Sequence, residues 1–131
     1  MALHPQPVPT PETQVFWDAA AEGEFLLRWC SSCGRTHWYP RAVCPHCSAD
    51  ATIWRKASGR GIIYSFSIMR RAPVPYAIAY VTLEEGPTMM TNIVDCGFDA
   101  IHIGQQVGVT FQIADGDGAL RLPFFRPLIN Q

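Results

Sequence analysis

Two pairs of cysteines are the feature of this chain that most limits how it can fold. Cys30 and Cys33 are separated by two residues, as are Cys44 and Cys47, and ten residues lie between the pairs. A Cys-x-x-Cys turn places two thiolates on one side of a tight knuckle, and two facing knuckles form a tetrahedral sulfur site that suits Zn²⁺. Gly34 follows the first pair, where a knuckle requires a positive φ angle. The spacing therefore predicts one structural zinc ion bound by Cys30, Cys33, Cys44 and Cys47.

Iron and disulfide bonds are the alternatives to zinc. Four thiolates also hold iron, which would give the purified protein a visible chromophore. Disulfides are disfavoured because nothing at the N-terminus resembles a secretory signal, and we expect a cytoplasmic protein with reduced thiols. His46 lies inside the second knuckle, but four thiolates complete the site, so we expect this side chain to be exposed. A site without an open coordination position is structural rather than catalytic.

The composition indicates a globular chain whose positive charge is concentrated around the cysteines. The 131 residues suffice for one domain or two small ones, and 48% of them are hydrophobic. No apolar run approaches the ~20 residues of a membrane helix, so no membrane partner is expected. Net charge is −1, which argues against a dedicated nucleic-acid binder. Residues 24–60 nevertheless carry +4, which indicates either a solvated surface or a face for an anion or a partner.

The N-terminal residues predict an extended arm and then a short helix. Prolines at every second position favour a flexible arm over residues 1–11. Thr10 and Pro11 are typical of a helix start and Gly23 of a helix end, so we predict a helix over residues 12–23. Such a short helix must dock on the metal module or on a partner. Its apolar stripe is expected to contain Val15, Phe16 and Ala19, with Trp17 beside it.

Residues 24–58 are predicted to form the metal module, a zinc ribbon with short strands beside the two knuckles. The strand segments are residues 25–29, 37–40 and 52–55. Four aromatic residues are many for so small a unit. We expect them to form a small core around the metal or an exposed docking face. They are Trp29, Trp38, Tyr39 and Trp54.

Residues 59–131 are predicted to form a small antiparallel barrel. Apolar residues recur with a period of two in five segments, which is typical of strands. The segments are residues 62–69, 76–83, 88–94, 107–113 and 119–125. One face of the first strand would contain Ile62, Tyr64, Phe66 and Ile68. Residues 115–118 predict a plain tight turn rather than a calcium loop. Five strands with a wider excursion between the third and fourth suit an OB-fold, with a flat meander as the alternative.

Motifs of common catalytic sites are absent from the sequence. It contains no P-loop, no dinucleotide-binding glycine motif and no nucleophile elbow. Cys96 could be a nucleophile with His102 nearby in sequence, but a cysteine at a strand end is more often a small buried apolar residue. The sequence therefore predicts no catalytic residue and an accessory binding protein rather than a self-sufficient enzyme.

Several short segments occur together in the order found in one known family. They are Phe16-Trp17, the four cysteines with Pro40-Arg41, residues 58–65 and residues 104–107. On these segments the chain resembles, over about residues 12–127, the acyl-CoA-associated OB-fold family with an N-terminal rubredoxin-like zinc ribbon, long filed as a domain of unknown function.

The resemblance implies a mainly β fold, with an N-terminal helix and a rubredoxin-like zinc ribbon followed by a five-stranded OB-fold barrel. It also implies a non-catalytic subunit that partners a thiolase-like enzyme, a lipid-transfer-protein-like aldolase or a hydratase of CoA-thioester metabolism. Such a subunit would bind its partner and part of the acyl-CoA, while the partner performs the chemistry.

Arginines are the candidate ligands for the phosphates of CoA, because their planar forks match phosphate geometry. We expect acyl-CoA at the ribbon–barrel junction, with its phosphates near Arg41, Arg70 or Arg71, although loop arginines are usually only solvated. The alternative function is single-stranded nucleic-acid binding, which ribbons and OB-folds both perform. The charge of −2 over residues 61–131 disfavours it. Electron transfer through an iron ribbon is a third hypothesis, and self-association is left open.

Overall fold

The structure is mostly β, with one helix, a four-cysteine ribbon at residues 30–47 and a closed five-stranded barrel, as the sequence predicted. It is a computed structural model that describes residues 7–113 and 120–128. In chain order the elements are α1 (Gln14–Ala21), β1 (Leu26–Cys30), β2 (Thr36–His37), β3 (Thr52–Lys56), β4 (Arg60–Met69), β5 (Tyr76–Leu83), β6 (Thr88–Ile93), β7 (Gln106–Ile113) and β8 (Arg121–Pro127).

The ribbon is a three-stranded antiparallel sheet with β1 at its centre. Its strand order is β2-β1-β3, so Arg28 of β1 lies opposite His37 on one side and Trp54 on the other. The strands are short because each leads into or out of a cysteine knuckle. The sheet therefore holds the knuckles at one end and passes the chain to the barrel at the other.

The barrel has the strand order of an OB-fold. The order is β4-β5-β6-β8-β7, and β7 pairs back to β4, for example at Gly61 and Val107. β6 and β8 lie side by side in parallel, with Ile93 opposite Phe125. A meander would pair β6 with β7, so closure through β8 excludes the flat alternative. The excursion between β6 and β7 contains a short 3-10 turn, Phe98–Ala100.

A β-bulge at Tyr64 changes which side of β4 faces the core. Ile63 lies opposite Val81, whereas Ser65 lies opposite its neighbour Tyr80, so Tyr64 is an extra residue. A bulge reverses the in-and-out alternation of the strand that contains it. Ile63 is buried before the bulge, and Phe66 and Ile68 pack against the core after it. The predicted single face was therefore wrong for two residues, since Ile62 and Tyr64 are 48% and 69% exposed.

Helix α1 buries a different stripe of residues from the one that the sequence predicted. A turn precedes it, in which the Thr10 carbonyl accepts hydrogen bonds from the N–H groups of Thr13 and Gln14. Val15 is 45% exposed, so the predicted stripe was wrong at this position. The buried residues have the spacing of one helical face. They are Thr13, Phe16, Trp17 and Ala20. Gly23, with φ of 83°, follows the helix as predicted.

One aromatic cluster joins the helix, the ribbon and the barrel. The ring of Phe25 lies 6.1 Å from that of Phe16, 6.2 Å from that of Phe125 and 6.4 Å from that of Phe111. Phe16 and Phe125 have no exposed surface, and Phe25 has 3%. The helix contacts β1 of the ribbon and β8 of the barrel. The ribbon therefore packs on the barrel through a shared core.

Some sequence predictions lie outside the described residues. These are the turn over residues 115–118, the proposed strand start at residue 119 and residues 1–6 of the arm. The boundaries proposed for the arm, helix, ribbon and barrel remain predictions. In the part of the chain that is described, no helix has the length and apolar content that crossing a membrane would require.

We predict that Gly61→Ala destabilises the barrel and that Gly97→Ala does not. A Cβ at Gly61 would lie 2.5 Å from Val81 Cγ1 and 2.8 Å from the Thr82 carbonyl oxygen, so β4 and β5 would have to separate. Overpacking of this kind costs about 1–3 kcal/mol. A Cβ at Gly97 would meet no atom within 4 Å, and its φ is −72°, which suits alanine. Urea unfolding of both variants in the presence of zinc measures the difference, and equal midpoints would contradict the packing.

Candidate metal centre and adjoining clefts

The four knuckle cysteines converge on one point. The Sγ atoms of Cys30 and Cys47 are 3.6 Å apart, those of Cys33 and Cys44 are 3.7 Å apart, and all four lie within 4.8 Å of one another. A tetrahedral zinc site with Zn–S bonds of ~2.3 Å requires sulfur–sulfur separations of about 3.8 Å. The arrangement fits a four-thiolate metal site. None of the four forms a disulfide.

The two knuckles have the same backbone pattern. The Gly34 N–H donates to the Cys30 carbonyl at 2.8 Å, and the Ser48 N–H donates to the Cys44 carbonyl at 2.8 Å. Gly34 has φ of 74° and Ser48 has φ of 66°. Glycine at the first position was a sequence signal, but serine at the second was not. Ser48 was identifiable only from its position, four residues after Cys44, which matches that of Gly34.

The surroundings of the knuckles give two of the cysteines different pKa values. Burial raises the pKa of Cys33 to about 11. Burial also opposes ionisation of Cys44, but hydrogen bonds from the backbone N–H groups of Cys47 and His46 outweigh it and lower its pKa to about 7. The His46 N–H lies 3.4 Å from Cys44 Sγ. Cys44 is therefore more readily ionised than Cys33, and an incoming metal would displace the protons that remain on the thiols. The His46 side chain is exposed, as predicted.

The ribbon aromatics contribute mainly to packing, and they engage part of the ribbon's positive charge. The Arg55 guanidinium lies 3.6 Å from the centre of the Trp29 ring, and that of Arg28 lies 4.3 Å from the Trp54 ring. Such cation–π contacts stabilise the ribbon surface. Trp38 packs against the core, while Tyr39 is 41% exposed. The packing interpretation therefore applies to Trp38, and the docking interpretation remains a prediction for Tyr39.

The predicted phosphate-binding arginines are exposed and lie in two places. Arg41 precedes the second knuckle, and its positive charge contributes to lowering the pKa of His37, so the two side chains are close. Arg70 and Arg71 follow Met69 at the far end of β4, about 30 Å along the strand from its start at the ribbon linker. The structure places Arg41 near the ribbon–barrel junction and the arginine pair at the opposite end of the β4–β5 hairpin.

A polar cleft of about 500 Å³ lies between the knuckles and the β5–β6 turn. The ribbon contributes Arg35, His37 and His46 to its walls, and the turn contributes residues 85–88. His37 is 2% exposed, and within the described residues neither of its ring nitrogens makes a well-formed hydrogen bond, although the Arg41 backbone lies within reach of the ring. Burial is the main reason that its pKa is lowered, with the backbone of Arg41 opposing the shift and nearby positive charges reinforcing it. From its place beside the metal module, this histidine was expected at most to form hydrogen bonds, and no sequence motif marked it as a binding residue.

An apolar groove of about 230 Å³ adjoins the cleft. Trp38 lines both, and Thr88 of the cleft precedes Met89 and Met90 of the groove along β6. Trp17 forms part of the groove wall. This residue is 5% exposed, and its buried indole Nε1 has no hydrogen-bond partner among the described residues. We call the cleft and groove together the seam.

The environment of Cys96 does not favour a nucleophile. Burial is the main reason that the pKa of its thiol is raised, and the charge of Asp95 adds to the shift. Among the hydrogen bonds of residues 7–113 and 120–128, none involves this thiol. The His102 side chain is exposed, and the backbone N–H of this residue donates to Gln105 Oε1 at 3.2 Å. A protonated thiol without an adjacent base is a poor nucleophile.

A rubredoxin-like ribbon joined to an OB-fold barrel defines the class of protein, and family profiles agree with it. The profile of the ChsH2 rubredoxin-like zinc ribbon domain matches residues 17–52, and that of the ChsH2 C-terminal OB-fold domain matches residues 54–112. The chain is 35% identical over 96 residues to a DUF35 domain-containing scaffold protein of Methanocaldococcus jannaschii, which covers 68% of each chain. The chain belongs to the DUF35 family.

Another relative is longer than this chain. A protein of Thermomonospora curvata named as a probable enoyl-CoA hydratase alpha subunit is 32% identical over 135 residues. The match covers 99% of this chain but 42% of that relative, so the chain spans less than half of the longer protein.

Two solved structures resemble the fold. A chain of the Ltp2-ChsH2(DUF35) aldolase matches with a TM-score of 0.81 and 31% identity, covering 93% of this chain and 98% of that one. A DUF35-family protein of unknown function from Sulfolobus solfataricus matches with a TM-score of 0.66, covering 89% of this chain and 85% of that one. At 14% identity, the second match concerns the fold alone.

We predict one Zn²⁺ per chain, bound by the four knuckle thiolates, and loss of this metal in Cys33→Ser. Metal binding contributes directly to the folding of so small a unit, so the variant should lose several kcal/mol of stability, to order of magnitude. Cys96→Ser is the matched control, because it removes a thiol outside the knuckles and should retain the zinc. Elemental analysis and chemical denaturation measure both effects. Natively expressed wild type without zinc, or with mainly iron, would contradict the assignment.

We predict that Cys96→Ala leaves any activity of the assembled complex within about two-fold of wild type. Its thiol is protonated and half-buried, so it contributes packing rather than chemistry. Turnover by the complex, measured alongside zinc content and unfolding midpoint, tests this expectation. A correctly folded variant without turnover would show that the thiol takes part in the reaction.

Proposed function

We propose that this chain is a non-catalytic scaffold subunit that partners a thiolase-like enzyme, a lipid-transfer-protein-like aldolase or a hydratase of CoA-thioester metabolism. The main support is its similarity, over 93% of its length, to a chain of the Ltp2-ChsH2(DUF35) aldolase. Relatives described as DUF35 scaffold proteins support the same role. Catalysis would then reside in the partner.

The metal in this proposal is a structural Zn²⁺ bound by Cys30, Cys33, Cys44 and Cys47. Four sulfurs within 4.8 Å complete a tetrahedral site and leave no position for a substrate or a reactive water. The ion would hold the two knuckles together, and the ribbon strands beside them would keep their register. The metal therefore acts on function only by fixing the shape of the ribbon.

An exposed apolar surface supports binding to a partner protein. The bulge turns Ile62 and Tyr64 outward on β4, and on the neighbouring strands Tyr80 lies directly opposite Met90. These four side chains are 48–69% exposed. Tyrosine and methionine are enriched at protein interfaces. We refer to Ile62, Tyr64, Tyr80 and Met90 as the outer barrel face.

The proposed ligand is an acyl-CoA, with its phosphates near Arg41, Arg70 or Arg71. The name of the Thermomonospora relative, a probable enoyl-CoA hydratase alpha subunit, supports a CoA thioester as the ligand class. All three arginines are exposed, so their guanidinium groups are free to reach a phosphate.

Affinity purification of the tagged chain from its native host tests the scaffold role. We expect a stoichiometric complex with an enzyme of CoA-thioester chemistry, identified by mass spectrometry, and weaker recovery with Tyr64→Ser. This residue is 69% exposed, so its replacement should not disturb the fold. Arg126→Gln, an exposed substitution on β8, is the control. Recovery of no such enzyme from the wild type would argue against the scaffold role.

Calorimetry on the purified complex tests the ligand. We predict that at least one of Arg41→Ala, Arg70→Ala and Arg71→Ala weakens acyl-CoA binding by ~10- to 150-fold. This is the loss expected when one charge-assisted hydrogen bond from an arginine to a phosphate is removed. Unchanged affinity in all three variants would show that none of these arginines contacts the ligand.

Single-stranded nucleic-acid binding is the second candidate. Tyr64 and Tyr80 are exposed on adjacent barrel strands, and stacked bases require such aromatic platforms. Tight binding of single-stranded DNA by the isolated chain, with a steep dependence on salt, would favour this function over the acyl-CoA proposal.

A further inference from the structure

We propose that the seam is the ligand site of this chain, with the nucleotide head of a CoA thioester in the polar cleft and its pantetheine–acyl arm in the apolar groove. The identity of the ligand rests on the proposed function. The location rests on the structure, and it assigns binding roles to Arg35, His37, Glu85 and Trp17.

The shape of the seam suits an elongated ligand with unlike ends. The cleft and groove have volumes of about 500 and 230 Å³, and together they have the volume of a small-molecule site. They meet at Trp38, whose side chain lines both. No charged residue lines the groove among the described residues, whereas the cleft contains several. A charged head and an apolar arm would therefore be sorted into different parts of the seam.

Positively charged side chains lie in and near the polar cleft, where the nucleotide head would bind. Arg35 and His46 line the cleft with exposed side chains. Arg41 and Arg28 are close enough to His37 for their charges to act on its ring. A phosphate in this position would meet two side chains that are free to reorient and a local positive potential. A neutral His37 adds one donor and one acceptor on its two ring nitrogens.

Glu85 makes a nucleotide a better occupant than a bare anion. Its Oε2 accepts a hydrogen bond from the Ser58 N–H at 2.9 Å, while its buried Oε1 has no partner in the part of the chain that the structure describes. A carboxylate oxygen repels a bare anion but accepts a hydrogen bond from an amino group, such as that of adenine. The cleft thus combines the Arg35 guanidinium for phosphate with an acceptor for the base.

Within the described residues, one buried hydrogen-bond donor of the groove lacks a partner and would face the pantetheine–acyl arm of the ligand. Trp17 Nε1 is buried beside Met89, Leu122 and Phe124, which form apolar walls. The pantetheine arm contains amide carbonyls and ends in a thioester carbonyl. Either type of carbonyl could accept the indole hydrogen bond while the methylene groups contact the walls. The groove therefore suits a chain that is apolar but contains occasional acceptors.

Unpaired buried groups are concentrated along the seam. Within residues 7–113 and 120–128, four side chains have buried nitrogen or oxygen atoms without partners, and three of them line the seam: Trp17, His37 and Glu85. Such groups destabilise a protein unless something satisfies them. Because these atoms are covered, entry of a ligand would require the exposed Arg35 and His46 side chains, or the turn at Gly86, to move a short distance.

Calorimetry with the zinc-loaded full chain tests this placement, repeated on the co-purified complex if the chain alone does not bind. The ligands are a short-chain acyl-CoA, 3′,5′-ADP as the head alone and acyl-pantetheine as the arm alone. We expect Arg35→Gln to weaken acyl-CoA and 3′,5′-ADP by about 10-fold or more. We expect Trp17→Phe to weaken acyl-CoA and acyl-pantetheine by about 2- to 10-fold, without affecting 3′,5′-ADP. Arg71→Gln tests the alternative placement of the phosphates on the distant hairpin. Arg126→Gln removes the same charge from an exposed side chain outside both the seam and the hairpin, and it should bind all three like the wild type.

The possible outcomes distinguish a wrong location for the ligand from a wrong identity of the ligand. If the wild type binds acyl-CoA and both seam variants bind it equally well, the seam is not the site, while acyl-CoA binding stands. If only Arg71→Gln binds less tightly, the phosphate lies on the hairpin. If neither the chain nor its complex binds acyl-CoA, the ligand assignment fails and the seam proposal fails with it. Arg35 is exposed, so a folding defect in Trp17→Phe would not prevent a decision.

Discussion

The convergence of four sulfur atoms is the constraint on which the ribbon depends. The three ribbon strands contain between two and five residues each, too few for a sheet that is stable by itself. With the sulfurs within 4.8 Å, a bound metal would replace the core that the ribbon lacks. The knuckles fix where β1 ends and β2 begins, and this places His37 and Trp38 on the side that faces the barrel. The seam follows from the metal geometry and could not form on a ribbon whose knuckles had separated.

The second constraint is the shared aromatic core, which sets how the ribbon and barrel lie against each other. Phe25 contacts Phe16 of the helix and both Phe111 and Phe125 of the barrel. Because these rings are buried, sliding of the ribbon over the barrel would expose apolar surface at about 25 cal/mol per Å². The same packing positions Trp17 and Trp38, which line the groove. A packed core and a ligand-sized groove thus have residues in common, and substitutions at this junction will affect stability and binding together.

Local rules predicted the elements of this fold better than they predicted which side chains are buried. The cysteine spacing, the limits of β5 and the barrel topology followed from patterns a few residues long. The exposure of Tyr64 and Val15 did not follow from such patterns. A bulge shifts the alternation of β4 by one residue at Tyr64, and the buried face of the helix is rotated away from Val15. The seam was beyond sequence reasoning for a different reason. His37, Glu85 and Trp17 are far apart in sequence, and their common property is a missing hydrogen bond, which only a folded structure reveals.

The two surfaces proposed for ligand and partner meet at one residue. Met90 is 57% exposed, lies opposite Tyr80 on the outer barrel face and lines the groove of the seam. A partner bound to the outer barrel face would therefore cover one edge of the groove and remove water from it. Burial of this edge would strengthen contacts with the apolar arm of a ligand. By linkage, a ligand in the groove would then strengthen the partner's binding by the same factor. A subunit with this geometry would bind its ligand weakly alone and tightly in the complex, as a scaffold that presents a thioester to an enzyme requires.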